Sequence, residues 1–234
     1  MTSRWPRPDG TSAAPHREKT KKRRTVRHRK QIESKRKNDT DNMTIRQAQP
    51  MQAREIARLI MVAMNHDCCR YFAGPHHTLE DFEDLMTALC EREDSQYSYR
   101  NTLVAIDEEG HLAGICVSYD GAQLHPLRRA FIEESKTRLG MDHSAIADET
   151  QAGELYIDSI CVDDRFRGKG IATQLIRATI DKARALGLPA VGLLVDKGNP
   201  LAEKLYLRNG FVYQNDASWG GHPMKHLVAA TAER

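Results

Sequence analysis

The chain has 234 residues, 35 of them Lys or Arg and 32 Asp or Glu, for a formal net charge of +3. Hydrophobic residues make up 40%, enough for a buried core, while the longest apolar stretches, such as Leu59 to Met64, fall far short of a membrane span. Five cysteines (Cys68, Cys69, Cys90, Cys116, Cys161), odd in number and without CxxC spacing, argue against a secreted disulfide scaffold. They fit free thiols in a reducing cytoplasm, and no basic-then-apolar pattern opens the chain to suggest a secretory leader.

The net charge divides unevenly. Residues 1–42 carry 14 Lys+Arg against 5 Asp+Glu, a balance of +9, and residues 43–234 carry 21 against 27, a balance of −6. The first stretch includes KKRRTVRHRK at 21–30 and has almost no aliphatic residues, so it cannot bury enough apolar surface to offset its ordering entropy and is expected to be disordered. Two readings of it stand. It tethers the protein to nucleic acid or another polyanion through phosphate contacts, or it is a dispensable extension, Met43 leading directly into a strand-like TIRQAQP. Residues 43–234 are expected to form one domain.

In chain order, Thr44 to Gln49 reads as a short strand ended by Pro50. Residues 52–64 place Ile56, Leu59, Ile60 and Ala63 at helical spacing. A His- and Gly-rich loop is expected through Gly74-Pro75-His76-His77. Thr78 then makes an N-cap, with Asp81 three residues on as a capping box, for TLEDFEDLMTALCERE. Thr102 to Ile106 and Leu112 to Tyr119 read as antiparallel strands about the turn Glu108-Glu109-Gly110, and 127–139 as a helix followed by a polar loop.

The signal sharpens from Glu154. ELYIDSICV at 154–162 is a strand, 170–187 an amphipathic helix stopped by Gly187, and 190–195 a short apolar strand. Pro200 to Arg208 is a second helix with Asn199 as N-cap and Pro200 at the first position. Phe211-Val212-Tyr213 and Met224 to Val228 complete the strands. The order of elements implies an α/β or α+β fold with a mixed sheet.

Residues 165–172, Arg-Phe-Arg-Gly-Lys-Gly-Ile-Ala, lie between that strand and that helix. Glycines let backbone amides approach a ligand, and a helix start offers unpaired N–H groups and a positive dipole end. Together they suit a pyrophosphate-sized anion, with Arg165, Arg167 and Lys169 adding charge. The spacing is neither a Walker loop nor the dinucleotide GxGxxG. By itself the stretch is equally an ordinary strand-to-helix turn.

The wider context carries a resemblance. Arg167-Gly168-Lys169-Gly170-Ile171-Ala172 after the strand, the long helix and strand AVGLLV, and Asn199-Pro200-Leu201-Ala202-Glu203-Lys204-Leu205-Tyr206-Leu207-Arg208-Asn209-Gly210-Phe211 stand in the order of the blocks of the GCN5-related N-acetyltransferase (GNAT) family. The first block resembles the family's [QR]xxGx[GA] signature and the last its NxxAxxLYxxxGF block. The resemblance implies a mixed, mostly antiparallel sheet splayed at its central strands and flanked by helices. It implies acetyl-CoA as cosubstrate and transfer of the acetyl group directly to a primary amine of a small molecule or protein.

What it implies for residues follows. The turn from Phe166 through Arg167, Gly168, Lys169, Gly170, Ile171, Ala172 and Thr173, with Arg165, would cradle the CoA pyrophosphate. The backbone of Ile160, Cys161 and Val162 would pair with the pantetheine arm, AVGLLV forming the other side of the gap. Asn199 would contact the pantetheine, cap its helix, or do both. Tyr206 stands at the family's tyrosine position and would protonate the departing thiolate; a core tyrosine is the alternative.

The base is read from the residues. The amine must be neutral to attack, so a carboxylate is expected. Asp158 and Glu154 share one face of a regular strand with Tyr156. An aspartate in an apolar strand is costly unless paired, so Asp158 stands out, with a structural acceptor as the alternative. Glu154 reads equally as no more than the exposed start of the strand. Cys161 reads as a small buried thiol rather than a nucleophile.

His76 and His77, and His222 with His226, lack a full ligand set, and no metal is expected. The loops at 66–77, 120–127 and 215–222 are substrate-side candidates. Two other functions remain open: a catalytically silent acyl-CoA-binding module and a polyanion binder acting through residues 1–42. No membrane partner is expected, and the protein is expected to be a monomer or homodimer.

Overall fold

A computed structural model describes residues 43–232; the basic stretch 1–42 lies outside the described residues. Seven strands form one sheet in the order β1-β2-β3-β4-β5-β7-β6. They are β1 (Thr44–Gln47), β2 (Thr102–Ile106), β3 (Leu112–Asp120), β4 (Glu154–Val162), β5 (Ala190–Asp196), β6 (Val212–Trp219) and β7 (His222–Ala230). Every neighbouring pair is antiparallel except β4 and β5, which are parallel. The amphipathic helix α5 (Ile171–Ala185) supplies the crossover a parallel pair requires.

Helices cover both faces. On one, α1 (Ala53–Met64), α2 (His66–Ala73), α3 (Leu79–Glu91) and α4 (Leu124–Leu139) share a core with Ile115, Val117 and Cys161 of the sheet. On the other, α5 and α6 (Pro200–Arg208) bury Ile171, Leu175, Ile176 and Tyr206 against Leu155, Ile157, Val191 and Leu193. Two cores on one sheet explain why β3 and the first half of β4 are buried on both sides. Among the described residues, no helix is long and apolar enough to cross a membrane.

The expected capping box closes α3: Thr78 Oγ1 accepts from the Asp81 amide at 3.1 Å and Asp81 Oδ2 from the Thr78 amide at 2.7 Å. Three expectations need correction. The loop expected after residue 64 contains α2, started by Asn65 at φ +68°, whose side chain accepts from the amides of Asp67 and Cys68. The helix expected from 127 begins at Leu124, because Pro126 falls in the first turn, where a missing N–H costs nothing. The last two strands are longer than expected and form a hairpin turning at Gly220-Gly221, and Pro223 sits in β7, its ring nitrogen carrying no N–H that would need an acceptor.

Candidate active site

The parallel pairing of β4 with β5 runs from Glu154↔Ala190 to Ile157↔Leu193 and stops there, although β4 continues to Val162 and β5 to Asp196. Beyond Ile157 the two strands part, and the backbone of Ile160 to Val162 on the β5 side has no strand partner. The separation coincides with a bulge. Val117 pairs with Ser159 and Ser118 with Ile157, so Asp158 is the extra residue on β4.

The bulge resets the alternation of side chains. Leu155 and Ile157 face α5; Asp158 and Ser159 then both face the opposite side, and Ile160 and Val162 return to the α5 side while Cys161 joins the α1–α4 core. A regular strand, as read from the sequence, would have put Cys161 on the α5 side.

Below the gap is a cleft of about 640 Å³ lined by Val162, Phe166, Arg167, Gly168, Gly170, Ile171, Ala172, Thr173, Arg177, Leu205, Arg208 and Asn209. Gly168 and Gly170 have φ of +79° and +78°, the left-handed region that glycine enters at no steric cost, and their turn delivers the start of α5 to the cleft. Gly170 is the N-cap and brings no capping side chain, so the first amides of α5 keep their hydrogen-bonding capacity. A helix start of this kind is chemically suited to an anion.

The basic residues of the turn divide. Arg165 is turned to Asp163, donating from Nε at 3.0 Å and Nη2 at 2.9 Å, and holds that carboxyl below its ordinary range; it does not line the cleft. Arg167 lines the cleft while pairing with Asp164 at 2.6 Å, and Lys169 lies 5.5 Å from the centre of the Phe166 ring. Arg177 and Arg208 join Arg167 on the wall, and nothing in the sequence singled them out. Asn199 does not line the cleft; its side chain accepts from the Ala202 amide at 3.1 Å, the helix cap that was one of its two readings.

On the α5 side of the sheet, Tyr206 packs its ring 5.8 Å from Phe211. Burial raises its phenol above the ordinary range, and the Cys116 thiol is close enough to add to the effect. Cys116 is the register partner of Ile160, which puts the phenol beside the parted section of β4. The Tyr206 hydroxyl makes no hydrogen bond to any described residue.

On the other side, Asp158 Oδ2 accepts from Ser159 Oγ at 3.0 Å and Oδ1 from Gln96 Nε2 at 3.3 Å. Burial first, and then the nearby Glu149 carboxylate, push the Asp158 carboxyl up to about 7. Glu149 is itself buried, bound to Arg128 Nη2 and accepting from the Tyr119 hydroxyl at 3.0 Å. Gln96, Tyr119, Arg128 and Glu149 escaped the sequence reading because they lie in four separate segments with no motif.

Glu154 is not the exposed start of its strand. It is buried, its Oε2 lies 2.8 Å from His226 Nε2, and its Oε1 accepts from Thr150 Oγ1 at 2.7 Å. A Cβ on Gly192, beneath it on β5, would overlap that carboxylate, so the missing side chain makes room for a bridge from β4 to β7. Cys161 is buried and its thiol is pushed up to about 11 by burial, matching an inert thiol. His222 and His226 do share a strand, yet His226 is turned to Glu154 and His222 to Asp196. Among the described residues, Asp107, Glu109 and His111 form one cluster of potential metal ligands, on the exposed β2–β3 turn.

The model of the Acetyltransferase (GNAT) family matches residues 61–211. A structure described as the crystal structure of acetyltransferase superposes with a TM-score of 0.68 at 30% identity, covering 81% of this chain and 100% of the other. An N-acetyltransferase from Staphylococcus aureus Mu50 gives 0.67 at 26% identity, covering 80% and 100%. A mycothiol acetyltransferase from Propionibacterium freudenreichii is 34% identical over 98 residues, 40% of this chain but 31% of that protein, so the match spans less than a third of that relative's length. With the parted β4–β5 pair, the uncapped α5 terminus and a family match across most of the sheet, the chain belongs to the acetyltransferase (GNAT) family.

Proposed function

We propose that the protein is an acetyl-CoA-dependent N-acetyltransferase that moves the acetyl group directly to a primary amine. The observation that carries the reading is the gap between β4 and β5, with an anion-binding helix start at one end and two proton-transfer groups, Asp158 and Tyr206, on its opposite faces. The pyrophosphate of the cosubstrate would sit on the amides from Gly168 to Thr173, with Arg167, Arg177 and Arg208 supplying charge. The pantetheine would pair with the unpartnered backbone of Ile160 to Val162.

In this mechanism the amine nitrogen attacks the thioester carbon and the Asp158 carboxylate takes its proton. The carbon–sulfur bond breaks as the sulfur accepts a proton from the Tyr206 hydroxyl. A carboxyl at about 7 holds a useful share of the carboxylate form near neutral pH and is basic enough to accept a proton. Glu154, with both oxygens engaged, acts in this reading by holding β7 to β4. The five unpaired thiols support a reducing compartment.

Calorimetric titration with acetyl-CoA, followed by thiol release with a panel of amines, tests the reading. The expected outcome is micromolar binding and a kcat lowered about 100- to 10,000-fold in Asp158→Asn. Absence of acyl-CoA binding at millimolar concentration would refute it.

A further inference from the structure

We infer that Lys182 is a positioning residue: by holding Ser118 it fixes how far along β3 helix α5 sits, and so brings a cosubstrate seated on the α5 start into line with Asp158. The inference rests on the acetyltransferase reading above and concerns what sets the distance between the two halves of that site.

Helix α5 runs alongside β3 and meets it at three successive positions on one face. At Gly114 a Cβ would lie 3.4 Å from Leu175 Cδ1, so helix and strand are close. At Cys116, Thr179 Oγ1 lies 3.2 Å from the thiol sulfur while donating to the Leu175 carbonyl at 2.9 Å. At Ser118, Lys182 Nζ donates to the carbonyl at 2.9 Å and to Oγ at 3.2 Å. From Leu175 to Lys182 the helix rises about 10 Å. From Gly114 to Ser118 the strand advances about 13 Å. The two rows therefore run nearly in step.

Most of the α5 face is buried apolar surface, from Ile171, Leu175, Ile176 and Ala183. Apolar contact is non-directional, so it holds a helix against a sheet without fixing it lengthwise. Hydrogen bonds have a preferred length and angle and do fix it. Lysine is also a costly choice in that place. A long basic side chain in the last turn of a helix ordinarily carries its ammonium to water. This one is turned inward to Ser118, which is fully buried, and burial holds the ammonium below the ordinary lysine range. An apolar side chain would avoid that cost and lose both bonds.

The strand that Lys182 grips is the one that faces the base. Ser118 pairs with Ile157 and Val117 with Ser159, so the contact stands directly across the ladder from the Asp158 bulge. A bulge interrupts the regular pairing that ordinarily sets a strand's position, and the ammonium ties β3 at that point from outside the sheet. The same helix begins at Ile171, on the cleft, about 16 Å away. One helix thus joins the pyrophosphate seat to the strand opposite the base. Without its tie α5 is free to settle along β3 and carry the cosubstrate with it, and a misplacement of about 1 Å costs about 100-fold in rate. Binding is spared, because the amides that would hold the pyrophosphate move with the helix.

The experiment uses the full chain, calorimetric titration with acetyl-CoA, and thiol release with the fastest amine of a panel. Lys182→Met fills similar space without a donor. Its kcat should fall about 100-fold while the acetyl-CoA dissociation constant stays within about threefold. Lys182→Arg keeps N–H donors within reach of Ser118 and should return kcat to within about tenfold of wild type. A residue that served packing alone would give neither this split nor this rescue. The inference is overturned if Lys182→Met keeps kcat within about threefold of wild type, loses acetyl-CoA binding in proportion to kcat, or performs no worse than Lys182→Arg. If Lys182→Met does not fold, Lys182→Gln, whose amide falls short of Ser118, is judged by the same kcat and binding criteria. Each of those failures leaves the acetyltransferase reading intact. A wild-type protein that binds no acetyl-CoA, or releases no thiol with any amine, removes that reading and this inference with it.

Discussion

Replacing Asp158 with asparagine should make the protein more stable at neutral and alkaline pH while removing its activity. In the folded state burial raises the carboxyl from the ordinary aspartate range, near 3.9, to about 7. Between these values the unfolded chain is ionised and the folded chain is protonated, so the folded state binds more protons and stability falls as pH rises. The stability associated with the neutral carboxyl is whole below about pH 3.9 and is lost by about pH 7. At about 1.4 kcal/mol per pH unit, wild type has given up about 1.5 kcal/mol at pH 5 and about 4 kcal/mol at pH 8. The asparagine side chain does not titrate, so the stability difference between variant and wild type should grow by about 3 kcal/mol from pH 5 to pH 8. The difference between asparagine and the neutral carboxyl, hydrogen bonds to Gln96 and Ser159 included, does not depend on pH and cancels. For a domain of this size that corresponds to roughly 6–12 °C in melting temperature. Urea unfolding at the two pH values reads it directly, and a pH-independent difference would show that Asp158 is not a buried, titrating carboxyl. The same variant should lose about 100- to 10,000-fold in kcat.

The remaining predictions probe the other parts of the site. Wild-type kcat/KM should fall tenfold per pH unit below about 7, the folded value of Asp158, and this limb should be measurable with an amine whose own titration is subtracted. Tyr206→Phe should lower kcat about 100-fold with little change in KM for acetyl-CoA; unchanged turnover would remove the tyrosine from the mechanism. Gly168→Val, with free space around its Cβ but φ at +79°, should cost about 1–2 kcal/mol of stability through backbone strain and raise the acetyl-CoA dissociation constant by calorimetry. Gly192→Ala should destabilise more strongly, because its Cβ meets the Glu154 carboxylate that is bound to His226, and thermal melts should show it.

The parts legible in the sequence were those written locally. The α3 capping box, the Asn199 cap, the glycine turn and the strand ELYIDSICV depend on residues within a few positions of one another. The bulge at Asp158 was not legible, because it arises from the register between Val117-Ser118 and Ile157-Ser159 and leaves no mark in either strand's composition. Helix α2 was missed because its residues, HDCCRYFA, are polar at the start and carry an unusual positive-φ cap at Asn65. Glu154 was misjudged because a carboxylate at the head of a strand ordinarily meets water; its partner lies 72 residues on, in β7. The surroundings of Asp158 depend on Gln96, Tyr119, Arg128 and Glu149, which are far apart in sequence and meet through the α4 packing and the loop that follows it.

That loop is held to the domain by contacts that also define the chemistry next to Asp158. His143 stacks against Phe131 at 5.5 Å and its Nε2 lies 3.0 Å from the Phe72 carbonyl, which ties residues 140–149 to α2 and α4. The Arg128 contacts to Ile146, Ala147 and Asp148 continue the attachment and end on Glu149, the carboxylate that helps raise Asp158. Arg128 therefore has two effects of opposite sign. It offsets the Glu149 charge, which lowers the Asp158 value, and it fixes Glu149 close by, which raises it. Burial makes the largest contribution to the raised Asp158 value and Glu149 the next, while Arg128 acts the other way with a smaller effect. Burial and the Glu149 carboxylate thus set the proton affinity of Asp158, and with it the pH range of the proposed reaction.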